Sequence, residues 1–354
     1  MNRPISVQRT KSPKPKPSSD KLGFGKYFAD HMLVQDYADG RWGEASIVPM
    51  APFPMSPGAS VLHYGQAMFE GMKAFRQANG EVAIFRPDFH FRRMESGSAR
   101  LCMPFLDESA FLSALREIVR VDESWVPADK GSALYLRPTL IATEEFLGVR
   151  PSQTYRFFVI TSPVGAYYSE GFGPVKIWVE EEYVRACPGG LGAVKAAANY
   201  AASLKAAEKA KKKGFSQVLW LDAKERRYVE EVGTMNIFFV LEGEVVTPPL
   251  DGTVLGGCTR DCVLALLRAR GLKVSERRIS IQEVQESIRS RELLEVFGTG
   301  TAAVVSPVGE LAGEGWSFQV GSGGVGDLTH SLFQEITGIQ YGLRPDPHGW
   351  IARV

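Results

Sequence analysis

Two kinds of residue in this chain stand where they could do covalent or acid–base chemistry. One is a lone lysine behind a glycine run; the other is a pair of glutamates entering an apolar stretch. Lys195 follows Pro188-Gly-Gly-Leu-Gly-Ala-Val and precedes Ala196-Ala-Ala-Asn-Tyr200. Glycine admits left-handed or crowded backbone, so the run predicts a close approach to something. Residues 196–213 are rich in strong helix formers, close on Lys211, Lys212 and Lys213, and stop at Gly214, which are helix-end signals. Lys195 therefore sits where a tight loop becomes a helix, with small neighbours around its amine. Such a lysine reads either as a solvated cation, as most lysines are, or as a Schiff-base lysine whose amine must be neutral to attack a carbonyl. Its own stretch leaves both open.

The glutamates lie in Glu230-Glu231-Val-Gly233-Thr234-Met-Asn236-Ile-Phe-Phe-Val. Strand alternation sends Glu230 and Glu231 to opposite faces. Either could face a pyridine nitrogen and keep it protonated, which makes the ring an electron sink; the plainer alternative is two solvated glutamates at a strand end. Two glycine-rich turns could hold anions. Val254-Leu-Gly-Gly-Cys258-Thr259-Arg-Asp261 leads into a helix, whose free N-terminal N–H groups suit phosphate, or else forms a simple capped junction. Phe297-Gly-Thr-Gly-Thr301-Ala302-Ala303 gathers backbone donors and hydroxyls between two strands, or is an ordinary turn. A third, Gly321-Ser-Gly-Gly-Val-Gly326, matches G-x-G-x-x-G. A dinucleotide site needs a βαβ unit with an acid about 20 residues on, and Asp346 sits in a Pro-rich tail, so this reads as a flexible loop.

The elements that must position these residues alternate without a strict βαβ rhythm, which predicts an α+β fold. Strands are expected at 28–37, 46–48, 68–75, 82–85, 132–142 and 154–162, with helices at 90–103 and 109–121. In the second half strands at 175–179 and 216–222 flank the Lys195 helix. A dense β region follows at 228–239 and 244–247, then helices at 259–270, 281–288 and 327–337 and strands at 293–297 and 302–307. Residues 165–174, glycine-rich with paired tyrosines, read as an interdomain linker. The expected organisation is a disordered basic tail at 1–22, a smaller N-terminal domain at 23–164, and a larger domain at 175–354.

Composition narrows the class. The 354 residues are 44% hydrophobic and 23% charged with net charge +1, ordinary for a soluble enzyme and no basis for nucleic acid or an anionic membrane as partner. No run approaches the roughly 20 apolar residues of a membrane span. Cys102, Cys187, Cys258 and Cys262 form no CxxC pair, and the five histidines show no ligand spacing, so reduced thiols, no structural metal and a cytoplasmic setting are expected. The Lys-Ser-Pro-Lys-Pro-Lys-Pro run reads as a polyproline-like tail and lacks the apolar core of a secretory signal; a transit peptide is the lesser alternative, since the run has no Arg-rich amphipathic pattern.

A lysine, an acid and two anion turns are the parts list of a pyridoxal-phosphate (PLP) enzyme. With His63-Tyr64, Phe69-Glu-Gly-Met-Lys-Ala-Phe75, Phe85-Arg-Pro87, Tyr135-Leu-Arg137-Pro138, Val164-Gly-Ala-Tyr167, Ala198-Asn-Tyr200, Glu231-Val-Gly-Thr-Met-Asn236, Pro248-Pro-Leu-Asp-Gly252 and Gly300-Thr-Ala302, the chain resembles the branched-chain amino-acid aminotransferases of PLP fold type IV. The likeness runs from about Phe24 to Gly342 and leaves the basic tail outside.

The resemblance implies a two-domain α+β enzyme with a mixed, barrel-like core in its second domain. It implies that Lys195 carries PLP as a Schiff base and moves the substrate proton. Arg93, Cys258, Thr259 and Thr301 would bind the phosphate, Tyr200 the cofactor's O3′, and Glu231 rather than Glu230 the ring nitrogen. The Thr301-Ala302 turn would take the α-carboxylate, while Phe24, Phe69, Tyr135, Tyr167 and Thr234 would shape an apolar pocket. Arg137 would reach the γ-carboxylate of glutamate. Tyr64, Leu147 and Val149 would come from the neighbouring subunit of a homodimer. The implied reaction interconverts leucine, isoleucine and valine with their 2-oxo acids, with 2-oxoglutarate and glutamate as the partner pair. Two departures stand out. Ala303 and Ser306 occupy the places of a redox-sensitive CxxC known in animal members, so no thiol regulation is expected there. Cys258 replaces a usual aliphatic residue before the phosphate threonine, a change that a backbone contact would tolerate. The rivals are a D-amino-acid aminotransferase or aminodeoxychorismate lyase of the same fold, and a non-catalytic NAD-binding module built on 321–326.

Overall fold

The computed structural model describes residues 5–165 and 172–354, and the chain divides into two compact units. The first comprises Met1–Ser169, Val194–Ala198 and Gly338–Val354; the second comprises Glu170–Ala193 and Asn199–Thr337. Lys195 thus belongs to the first unit, although the residues on both sides of its short segment belong to the second.

The first unit is built on a ten-stranded sheet. Its two longest strands, Ala133–Ala142 and Tyr155–Val164, pair antiparallel along their whole length from Ala133↔Val164 to Ala142↔Tyr155. In Tyr155–Val164, buried Tyr155, Phe157 and Val159 alternate with half-buried Arg156, Phe158 and Ile160, the period-2 pattern of a strand with one face in a core. His31–Ala38 and then Ser46–Pro49 continue the sheet on one side; Met72–Arg76 and Val82–Phe85 continue it on the other. Helix α1, Ser60–Tyr64, ends at left-handed Gly65. Helices α2, Pro87–Arg100, and α3, Glu108–Val121, contribute Phe91, Met94, Phe111, Leu115 and Ile118 to the core with Leu33, Ile47, Leu134, Leu136 and Phe157. Each such side chain gains about 1.5–3 kcal/mol on leaving water. Helix α3 starts where the Asp107 carboxylate accepts from the Ala110 N–H at 2.8 Å, a cap typically worth about 1 kcal/mol.

Three features differ from the sequence expectation. The basic segment before residue 23 is ordered where it is described. Ser6 and Val7 pair in parallel with Ser46 and Ile47, and the Gln8 N–H donates to the Ile47 carbonyl at 2.8 Å. Its lysines and prolines leave enough backbone free to bond: the Thr10 N–H donates to His31 Nε2 at 2.9 Å, and the Lys14 N–H to Asp30 Oδ1 at 2.9 Å. The C-terminal segment joins the first unit instead of the second, because Ile351–Arg353 pairs antiparallel with Val82–Phe85. With both ends added to its sheet, the first unit holds more of the chain than the second. The stretch 68–75 is two strands, Ala67–Phe69 and Met72–Arg76, broken at Glu70-Gly71.

The second unit carries a nine-stranded mixed sheet. Val175–Glu180 is central, parallel to both Gln217–Leu221 and Val304–Gly313. Leu293–Gly300, Asn236–Leu241 and Glu244–Thr247 follow beyond Val304–Gly313 by antiparallel pairing, and Val229–Val232 borders Gln217–Leu221 at the opposite end. Helix α4, Ala197–Lys212, is the crossover between the first two parallel strands. It buries Ala206 and Ala210, one turn apart, against Trp178, Val218 and Trp220. Helices α5, Cys258–Ala269, α6, Ile281–Ser290, and α7, Asp327–Gln340, complete the set. The strands expected at 293–297 and 302–307 run longer, and α2 begins at Pro87, earlier than expected, since proline suits the first helical position. Among the described residues no helix is long and apolar enough to cross a membrane, and no cluster of His, Cys, Asp and Glu could hold a metal ion.

Candidate functional site

In the first unit the break at Glu70-Gly71 organises the chemistry. The Phe69 N–H donates to the Lys195 carbonyl at 3.2 Å, and Met68 bridges Ala196, so the lysine's backbone is laid along the strand Ala67–Phe69 just before α4 begins. Its Nζ lies 5.0 Å from the centroid of the Phe69 ring. Burial and then the Arg93 cation depress this amine, Glu70 and Tyr135 oppose them, and Arg137 adds a little more depression; the result is a pKa of about 8. A lysine with that value is partly neutral near physiological pH, which a solvated lysine is not.

Arg93 is held tightly. Its Nε donates to Glu70 Oε1 at 2.6 Å and its Nη2 to Glu70 Oε2 at 2.7 Å, while His90 Nδ1 lies 2.6 Å from the same Oε2. Glu70 is fully buried. Burial alone would push its carboxyl up, but the charges of Arg93 and His90 hold it well below the usual carboxylate range. Sequence reasoning singled out Arg93 and missed Glu70 and His90, which fix it; the signal was an acidic residue between two apolar strands.

Phe24, Phe69, Tyr135 and Arg137 lie together. The rings of Phe24 and Tyr135 meet edge-on at 5.0 Å, and the Arg137 guanidinium stands 4.5 Å over Phe69 while its Nη2 donates to the Tyr135 hydroxyl at 3.1 Å. Arg137 Nε is buried without a partner among the described residues. Gly71 is required here, since a Cβ on it would overlap the Tyr135 hydroxyl. Tyr64, Leu147 and Val149 are exposed, with Val149 87% accessible, and the Tyr64 hydroxyl donates to the Leu147 carbonyl. Tyr167 falls outside the described residues.

The second unit carries the other expected residues. Glu230 and Glu231, on Val229–Val232, are both buried, so neither is a solvated strand-end acid. Glu231 Oε1 accepts from Arg185 Nη2 at 2.9 Å and from the Leu255 N–H at 2.6 Å. Glu230 keeps Oε2 buried without a partner among the described residues, and burial raises its carboxyl pKa. Arg185, which no sequence motif marked, joins Glu231 to the glycine loop. Tyr200 lies half-buried early in α4, where Asn199 Nδ2 donates to the Leu191 carbonyl at 2.8 Å. Cys258 and Thr259 open α5, both buried, with Gly257 as its N-cap. Thr301 and Ala302 are half-buried in the turn between Leu293–Gly300 and Val304–Gly313, and Thr234 is exposed in the turn before Asn236–Leu241.

The G-x-G-x-x-G loop is no nucleotide site. The N–H groups at the start of α7 go to Glu295, from Leu328 at 3.0 Å and Thr329 at 2.8 Å, and a Cβ on Gly326 would run into the same side chain. A carboxylate on that helix end repels phosphate.

The first unit thus holds a lysine with a depressed amine, and the second a buried acid held by an arginine. The profile of the amino-transferase class IV family matches residues 67–311, and the chain belongs to that family. It is 51% identical to the branched-chain-amino-acid transaminase 1 of Bacillus subtilis, with all of both chains covered. It is 49% identical to the branched-chain-amino-acid aminotransferase of Mycobacterium tuberculosis, with 94% of this chain and 92% of that one covered. Among solved structures, the branched-chain amino acid aminotransferase of Escherichia coli matches with a TM-score of 0.76 and 26% identity, covering 91% of this chain and 98% of the other. The branched-chain amino acid aminotransferase of T.th., solved with pyridoxamine 5'-phosphate, matches with a TM-score of 0.73 and 26% identity, covering 90% of this chain and 97% of the other. The fold is that of the fold type IV aminotransferases, and the cofactor is PLP. Each unit carries groups of the kind that it needs: the first an amine with a pKa of about 8, the second the buried Glu231 carboxylate and a helix that starts at Gly257.

Proposed function

We propose that the protein is a branched-chain amino-acid transaminase. It interconverts leucine, isoleucine and valine with their 2-oxo acids and uses 2-oxoglutarate and glutamate as the partner pair. The observation that carries the reading is Lys195: its amine is depressed to about 8 at a loop–helix junction in a chain of this family. When bound, PLP supplies a carbonyl that accepts the amino group and a ring that draws electrons from the substrate's Cα.

The chain's own residues do the rest. Lys195 Nζ, neutral in part, is the amine that would bond the cofactor and would hold and return the substrate's Cα proton. Arg93, Cys258, Thr259 and Thr301 would hold the phosphate, Tyr200 would hydrogen-bond O3′, and Glu231 would pair with the ring nitrogen. Thr301 and Ala302 take the α-carboxylate. Phe24, Phe69, Tyr135, Tyr167 and Thr234 shape the side-chain pocket, and Arg137 receives a γ-carboxylate. The support for Arg137 is its guanidinium between two aromatic rings with a buried, unpartnered Nε, a cation in apolar surroundings that suits leucine and glutamate in turn. The exposed Tyr64, Leu147 and Val149 support a homodimer in which they complete the neighbouring site. The enzyme works in the cytoplasm on small molecules.

The test is chemical trapping. Protein incubated with PLP and borohydride, digested and analysed by mass spectrometry, is expected to carry a phosphopyridoxyl group on Lys195. Labelling spread over surface lysines, with Lys195 unmodified, would overturn the assignment.

A further inference from the structure

Arg185 has no counterpart among the residues assigned so far, yet it is nearly buried and gathers three acceptors on one nitrogen. Its Nη2 donates to the Gly192 carbonyl at 2.9 Å, to the Thr253 carbonyl at 2.7 Å and to Glu231 Oε1 at 2.9 Å. Its Nε is buried without a partner among the described residues, so the grip rests on that one nitrogen. The acceptors belong to three different pieces of chain. Gly192 lies three residues before Lys195, Thr253 lies five residues before Cys258, and Glu231 lies on Val229–Val232.

The two loops meet closely. A Cβ on Gly192 would come within 2.6 Å of the Thr253 Cα, which explains the glycine. Their apposition turns two carbonyl oxygens toward the point that the Glu231 carboxylate also approaches. Buried oxygens converging in this way need donors, because leaving them unpaired costs their full desolvation, and the carboxylate among them is met best by a cation. Leu255 N–H at 2.6 Å supplies a second donor to Glu231 Oε1 but no charge.

We infer that Arg185 is a positioning residue for the transamination: it fixes the Glu231 carboxylate and locks the loops leading to Lys195 and to α5 in one arrangement. This rests on the reading of Glu231 as the acid that faces the cofactor's ring. Arg185 acts through Glu231 and the loops, not on substrate. Because one nitrogen makes all three contacts, a lysine, which brings a three-donor ammonium on a slightly shorter stem, retains part of the role. A methionine of similar length retains none.

The inference is tested on apo-protein titrated with PLP, with dissociation constants read from tryptophan fluorescence and the absorption band of the bound cofactor recorded. The proteins are wild type, Arg185→Met, Arg185→Lys, Glu231→Gln and the Arg185→Met/Glu231→Gln double variant. Removing a group that orients a metal-ligating side chain typically costs about 10–100-fold, and a loss on that scale, with a shifted band, is expected for Arg185→Met. Arg185→Lys is expected within about tenfold of wild type, as a retained cation keeps part of the grip. The double variant is expected to bind more tightly than the product of the two single losses would give, since the part of each loss that runs through the Glu231 carboxylate is counted once. Losses that multiply in the double variant, or an Arg185→Met protein with wild-type affinity and band, would overturn the inference. If Arg185→Met does not fold, the same cycle run with Arg185→Lys decides by the same additivity criterion. Wild type that binds no PLP would overturn the reading of the site itself, whereas wild type that binds while the variants are additive overturns this inference alone.

Discussion

The amine of Lys195 lies 5.0 Å from the centre of the Phe69 ring, while the Phe69 N–H donates to the Lys195 carbonyl at 3.2 Å. One residue therefore anchors the lysine's backbone and provides a wall for its amine. The ring face favours the charged amine modestly, and burial together with the Arg93 cation disfavours it by more, which leaves the pKa at about 8. Attack on an aldehyde needs the neutral amine. The rate of PLP uptake by apo-protein, followed by stopped-flow absorbance, is expected to rise with pH and level off above about 8. Arg93→Met removes a cation and leaves Glu70 uncompensated, both of which favour the charged lysine, so its midpoint is expected to move up. A midpoint near 10 in wild type would contradict the buried setting.

Stability should follow the same group. The Lys195 amine titrates near 8 in the folded chain and at about 10.5 when exposed, so its burial penalty is fully present below pH 8 and disappears as pH rises toward 10.5. Lys73, 7% exposed, is pushed by burial to about 8 as well. Each contributes a rise of roughly 3 kcal/mol in unfolding free energy across that window, an upper figure. Denaturant melts of apo-protein at pH 7.5 and 10 are expected to show a smaller rise for Lys195→Met than for wild type, and Lys195→Met should be the more stable protein at pH 7.5. Equal rises would show that the amine is solvated.

Glu70 carries the opposite sign. Its carboxyl is held well below the ordinary 4.5, so the stability it contributes is complete at neutral pH and is lost as pH falls below about 4.5 toward its folded value. Glu70→Gln leaves the Arg93 guanidinium without its counter-charge, and breaking a buried pair in this way costs about 3–5 kcal/mol. A thermal melt at pH 7 should show the loss, and PLP affinity should fall with it because Arg93 is no longer aimed. A variant as stable as wild type would mean that the Glu70–Arg93 pair contributes nothing.

The contact at Gly71 gives a paired prediction. Gly71→Ala places a methyl group against the Tyr135 hydroxyl, and overpacking of this kind costs about 1–3 kcal/mol. Tyr135→Phe removes that hydroxyl but leaves the ring carbon Cζ 2.6 Å from the added methyl, so the double variant is expected to recover only part of the lost melting temperature. A double variant no better than Gly71→Ala alone would place the strain elsewhere.

Much of this organisation was legible in the sequence, for reasons particular residues make plain. The alanine run after Lys195 fixed α4 because helix propensity and packing agree there: Ala206 and Ala210 are small enough to meet Trp178 and Trp220. The strand expected at 154–162 was equally clear and is found at Tyr155–Val164. The N-terminal segment was misjudged because its prolines and lysines resemble a tail by composition, whereas it is ordered by backbone bonds to His31, Asp30 and Ile47, which composition does not encode. The C-terminal strand was missed since Ile351–Arg353 is three residues long and pairs with a strand more than 250 residues earlier. At the site, Lys195 and the glutamates stood out by type and setting. Arg185, Glu70 and His90 did not, because each works by a contact distant in sequence.

The central claim is that Lys195 carries a branched-chain transamination, and one assay addresses it directly. Purified protein supplied with PLP, L-leucine and 2-oxoglutarate is expected to form glutamate and the leucine-derived 2-oxo acid, while Lys195→Ala should lose at least about 10³-fold in kcat, the scale of a missing proton-transfer group combined with a missing nucleophile. Turnover by Lys195→Ala at the wild-type rate, or wild type that transaminates D-alanine and leaves L-leucine untouched, would contradict the account.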